Sequence, residues 1–170
     1  MNKFLLAVHV LAAIVAVGPV TIAASMFPPS ARKALAEPGD AQALSTVRVL
    51  HRICQVYATV GVAVPVFGFA TAKNMGVLGD TWLIVSIALT ALAAAVLAAL
   101  VLPRQTALME GMEGTEESIE EGGQGAAYAG ASRVGPRDTA RLAMFTGLFN
   151  LLWATVTILM IVRPGSTTGA

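Results

Sequence analysis

Charge is scarce in this chain. Asp, Glu, Lys and Arg make up 12% of its 170 residues, against 56% hydrophobic residues. Soluble domains of this size carry about twice that charged share. The deficit argues against an ordinary water-soluble globule and points to lipid as the solvent. The few charges nearly cancel, at a net +1, which argues against the strongly basic surface that a nucleic-acid partner calls for. Cysteine is present once, as Cys54, so no intrachain disulfide and no cysteine-based metal site can form. Aromatic residues account for only 6%, and bulk comes instead from Ala, Val, Leu and Ile. Mean hydropathy is +0.73.

The hydrophobic residues fall into four long runs. A helix crosses about 30 Å of hydrocarbon with roughly 20 residues, at about 1.5 Å each. Residues 4–27, 53–72, 81–102 and 142–162 meet that length, and none of the four contains Asp, Glu, Lys or Arg. The runs are continuously apolar rather than alternating, which predicts helices and not barrel strands. The expected fold is all-α: an integral membrane four-helix bundle, up-down-up-down, forming one domain over 1–170. The first run also shares features with a signal peptide, since Lys3 precedes an apolar core and Ala23-Ala24-Ser25 could serve as a cleavage site. Its length exceeds a usual signal core and favours a retained span.

Lys and Arg favour the cytoplasmic side of a membrane. Arg32, Lys33, Arg48 and Arg52 lie between runs one and two, and Arg104, Arg133, Arg137 and Arg141 between runs three and four. The other side holds Lys3, Lys73 and Arg163. This balance places both longer loops in the cytoplasm and both termini outside.

Local signals refine the picture. Pro28-Pro29 is expected to end the first span. Asp40 is placed to cap a helix that runs directly into span two, with Leu44, Val47 and Leu50 on its apolar side. Arg48 and Arg52, four residues apart, are expected at lipid headgroups. Asp80 is the expected cap of span three, beside Trp82 at the interface. The segment 104–138 reads as a flexible acidic loop: Glu110, Glu113, Glu116, Glu117, Glu120 and Glu121 precede Gly122-Gly123-Gln124-Gly125. Glutamates at this spacing could gather a divalent cation on one helix face, but no His or Cys completes a site, and a solvated loop is the simpler reading.

No catalytic cluster is apparent, and the spans lack the acidic or basic side chain that proton-coupled transport uses at depth. His9 is the one histidine within a span. It reads either as a haem or metal ligand or as a histidine hydrogen-bonded to a neighbouring helix. His9 and His51 belong near opposite faces, about 20 Å or more apart, so they do not share one haem iron. A second ligand would come from elsewhere, such as Met160. On span four, Thr146, Asn150, Trp153 and Thr157 share a face, and Asn150 is expected to face the bundle, with Ser86 and Thr90 as partners. Ala91, Ala95 and Ala99 form a small-residue stripe that lets another helix approach, and Pro19 and Pro65 are expected to bend their spans.

The pieces Leu6-Ala7-Val8-His9-Val10-Leu11-Ala12-Ala13 with Gly18-Pro19, and Leu50-His51-Arg52 with Tyr57, Gly61, Pro65 and Gly68, resemble a family of small bacterial four-helix integral membrane proteins of unassigned function. The Ala- and Val-rich usage resembles actinobacterial sequences, and the resemblance implies a bacterial plasma membrane. An early histidine in span one is also distantly similar to copper-resistance protein D and to membrane-bound protoporphyrinogen oxidase, which implies His9 as a haem or copper ligand. The oxidase pattern includes an intramembrane lysine that none of these spans contains. The resulting expectation is a non-enzymatic accessory or scaffold subunit, or a small carrier, partnered by the bilayer and by another membrane subunit or a second copy. The alternative is a haem-binding redox protein.

Overall fold

The computed structural model describes residues 2–120 and 135–165, and among them every regular element is helical. The elements are α1 (Asn2–Ala36), α2 (Ala41–Val60), α3 (Ala63–Met75), α4 (Thr81–Ala95), a π-helical turn (Val96–Val101), α5 (Leu102–Glu120) and α6 (Pro136–Val162). They combine into four helices long and apolar enough to cross a membrane: Lys3–Ala36, Ala41–Met75, Thr81–Glu116 and Arg137–Val162.

Residue pattern explains each element. On α1 the buried positions Ala16, Val20, Ala23, Ala24, Phe27, Ala31 and Ala34 recur every three or four residues, which is one helical face. Because most are alanine, α2, α3 and α6 can pack closely on it. This stripe carries the helix through Pro28-Pro29, contrary to the expectation that the pair ends it. Beyond the pair, Ala31 and Ala34 remain in the core.

Asp40 caps α2 as expected, its Oδ1 accepting from the backbone N–H of Gln42 (3.0 Å) and Ala43 (3.1 Å). Leu44, Val47, Leu50 and Cys54 follow as its buried face. The helix breaks at Gly61-Val62 because Pro65 has no N–H for the Gly61 carbonyl. That carbonyl accepts instead from Val64 N (3.1 Å), while Val62 N turns to Thr59 O (3.2 Å), a tighter three-residue pattern. α3 then ends at Gly76, whose φ of 71° suits glycine and lets its N–H reach the Ala72 and Lys73 carbonyls.

The segment expected as an acidic loop is helical up to Glu120. Leu108, Met109, Met112 and Thr115 are buried at helical spacing, and this stripe gives α5 a core-facing side that the glutamates on its other face obscure. Glu121, Gly122-Gly123-Gln124-Gly125 and Arg133 lie outside the described residues. At the far side of that gap, α6 begins at Pro136, with Gly135 N–H donating to Asp138 Oδ2 (3.0 Å).

The main core joins α1 and α2 to the π-helical turn, α5 and the first half of α6, from Val20 through Phe149. A second, smaller cluster of Ala72, Trp82 and Leu83 sits beside the α3–α4 turn. Packing is therefore dense at the end carrying the α1–α2 turn and sparse at the other.

Asp40→Ala should lower the stability of the detergent-solubilised protein by about 1 kcal/mol, since two first-turn N–H groups lose their acceptor. Asp40→Asn should retain most of it, and thermal unfolding followed by circular dichroism reads both.

Candidate functional site

Polar side chains inside apolar helices mark where function or specific packing is built, because each unpaired group costs free energy. His9 is 8% exposed. Its Nδ1 lies 3.0 Å from the Val64 carbonyl oxygen. A carbonyl only accepts, so Nδ1 carries a proton, and in the neutral ring Nε2 has the lone pair. The ring lies directly on Gly68, where an added Cβ would come within 2.8 Å of His9 Cε1. The Pro65 break and the glycine that follows it thus form a seat for one imidazole. The sequence signal for this seat was the spacing of Pro65 and Gly68, although it did not show what the glycine accommodates.

Asn150 is half-buried on α6 and donates through Nδ2 to Ser25 Oγ on α1 (3.0 Å). Ser86 and Thr90 do not meet it, contrary to expectation. Each turns back on its own helix, Ser86 Oγ to Trp82 O (2.8 Å) and Thr90 Oγ1 to Ser86 O (2.7 Å), a local bond always within reach of a helical hydroxyl. Thr157 does the same to Trp153 O (2.9 Å) and is exposed. Buried Thr146 Oγ1 and Asn150 Oδ1 have no hydrogen-bond partner among the described residues. Trp153 contributes an edge-to-face contact with Phe149, ring centroids 6.5 Å apart.

A second polar group sits at the densely packed end. His51 Nδ1–H donates to Gln105 Oε1 (3.3 Å), and Gln105 Nε2–H reaches Cys54 Sγ (3.6 Å). Phe27 meets the His51 ring edge-on at 6.3 Å. Gln105 is fully buried, and sequence reasoning missed it because it lies beyond the apolar run. Arg48 and Arg52, expected at lipid headgroups, are both exposed, and Arg48 forms an ion pair with Glu113 at 3.0 Å. Arg32 Nε donates to Thr139 Oγ1 (3.1 Å), and the Arg104 guanidinium lies 4.4 Å over the Phe145 ring.

At the sparse end, Asp80 occupies the cap position of α4 without a side-chain capping bond. Its Oδ2 accepts from the Trp82 indole instead (3.0 Å), and Trp82 is buried rather than open at an interface. Met160 is half-buried nearby, its carbonyl taken by Arg163 Nε (3.3 Å). Among the described residues, no three of His, Cys, Asp and Glu gather as a metal site. The alanine stripe points outward. Ala91, Ala95 and Ala99 are exposed, and α4 faces the bundle with Leu83, Ser86 and Ala93. No known protein family, curated protein or solved structure matches the chain.

Gly68→Ala should displace His9 and destabilise the fold by about 1–3 kcal/mol. In a His9→Ala background the same change should cost much less, and a double-mutant cycle on thermal unfolding measures the difference. The Ser25–Asn150 bond should show a coupling of about 0.6 kcal/mol in the same kind of cycle, the usual worth of a bond between apolar helices.

Proposed function

We propose that this protein is a non-enzymatic membrane subunit, an accessory or scaffold that docks another helix against the alanine face of α4. Its four helices cross a bacterial plasma membrane up-down-up-down, with both termini outside and the longer connections in the cytoplasm, as the Lys and Arg distribution favours. Helix length supports the crossing, since α1 alone, at 35 residues, extends about 50 Å against about 30 Å of hydrocarbon.

The carrying observation is the outward alanine face. Between lipid-solvated helices, association relies on close backbone approach, and Ala91 and Ala95, continued by Ala99 in the π-helical turn, offer it on a side that no helix among the described residues covers. Burial agrees: only 11–22% of each apolar window is buried within the chain. A small-carrier role draws less support, since the two cavities described lie at helix ends, around Pro38-Gly39 and around Asp80.

Ala95→Leu tests this reading. It should reduce the size of the complex extracted from native membranes to that of the lone chain, while the isolated protein keeps its unfolding temperature. An unchanged complex, or one never larger than the lone chain, refutes the docking role.

A second reading has one observation of its own. The Val64 carbonyl takes Nδ1 of His9, so Nε2 is the nitrogen that would hold an iron. Haem bound there would supply one-electron chemistry, and His9 would hold the iron. A Soret band in protein from haem-replete cells, lost in His9→Ala, is the result this reading requires; a colourless protein removes it.

A further inference from the structure

The sparse end of the bundle carries a crevice of about 400 Å3 lined by Gly79, Asp80, Thr81, Trp82, Pro164 and Gly165. Two opposite charges stand beside it without pairing. Among the described residues the ion pairs are Lys33–Asp40 and Arg48–Glu113, so Asp80 and Arg163 are not within ion-pair distance of each other.

Both groups keep binding capacity. Asp80 Oδ2 accepts from the Trp82 indole N–H, which leaves Oδ1 without a partner among the described residues. Arg163 uses Nε on the Met160 carbonyl, which leaves its two terminal amino groups. The guanidinium lies 5.6 Å from the Trp82 ring centroid, next to Pro164 at the crevice edge, so carboxylate and cation both contact the same indole. Arg163 is the C-cap of α6, at φ 45°, ψ 58°, and its backbone N–H closes the helix on the Leu159 carbonyl (2.9 Å).

We propose that this crevice binds a zwitterionic aminophosphate, with its ammonium on Asp80 and its phosphate on Arg163. A carboxylate and a guanidinium that flank an aromatic ring without neutralising each other match a ligand carrying both charges a few bonds apart. A purely anionic ligand leaves Asp80 opposed, and a purely cationic one leaves Arg163 opposed. Phosphatidylethanolamine headgroups and soluble phosphoethanolamine share this chemistry. The proposal rests on the membrane reading above only for the headgroup source.

Trp82 reports on its own site. In a Trp153→Phe variant it is the sole tryptophan, since the chain has two. The purified full-length protein is titrated in mild detergent with dihexanoyl phosphatidylethanolamine, dihexanoyl phosphatidylglycerol and free phosphoethanolamine, following Trp82 fluorescence. The ethanolamine lipid should give a saturable change at least about tenfold tighter than the glycerol lipid, the scale of one charge-assisted bond. Asp80→Asn keeps an acceptor for the indole and removes the charge, so it should erase that preference. Arg163→Gln should weaken binding about tenfold, and Arg163→Lys should restore part of it. An equal response to free phosphoethanolamine assigns a soluble ligand, and a response to the lipid alone assigns the headgroup. No saturable change, or equal affinity for both lipids with Asp80→Asn silent, overturns the proposal. Carbonate extraction of native membranes tests insertion separately, so failure of the membrane reading is distinguishable.

Discussion

The alanine-lined face of α1 is where the bundle is assembled. α2, α3, α5 and α6 all pack on this helix, and they can do so because Ala16, Ala23, Ala24, Ala31 and Ala34 leave no bulk between backbones. Apolar burial drives little association between helices solvated by lipid, so close packing and a few hydrogen bonds carry the specificity. Phe27, fully buried and edge-on to His51, is the one large side chain on that face. It sits where α1, α2 and α5 converge, and the core is densest there.

The polar groups follow from the same geometry. Where α1 meets α3, Gly68 makes room for an imidazole and the Val64 carbonyl fixes its proton. Where α1 meets α6, Ser25 takes the Asn150 amide. These contacts fix which faces of α3 and α6 turn toward α1. The unpaired Thr146 Oγ1 and Asn150 Oδ1 lie one helical turn apart on α6, a concentration of unsatisfied polarity that an apolar core would not need for stability.

Helix existence was legible in the sequence because four uncharged runs of spanning length admit few other structures. The Asp40 cap was equally legible, since capping is local. Partner assignments were not. Ser86 and Thr90 are suited to Asn150 by spacing, but a helical hydroxyl can also turn to its own carbonyl four residues back, and the sequence does not show which bond wins. Ser25 escaped notice among the small residues of its run. The helical span of α5 was hidden by its glutamates, although Leu108, Met109 and Met112 carried the helical period. The direction of the alanine stripe was illegible too, because it depends on how α4 is rotated, which Leu83, Ser86 and Ala93 set through their burial.

That rotation leaves α4 with a smooth face and no helix of the described residues against it. In vivo photo-crosslinking from a benzophenone amino acid at position 95 tests the central claim most directly, with position 158 on the exposed side of α6 as control. The account predicts one discrete adduct from position 95, at about twice the 17.5 kDa chain mass for a second copy or at another fixed mass for a different subunit, and a much weaker one from 158. Lipid adducts alone from position 95, with no protein partner, would contradict it.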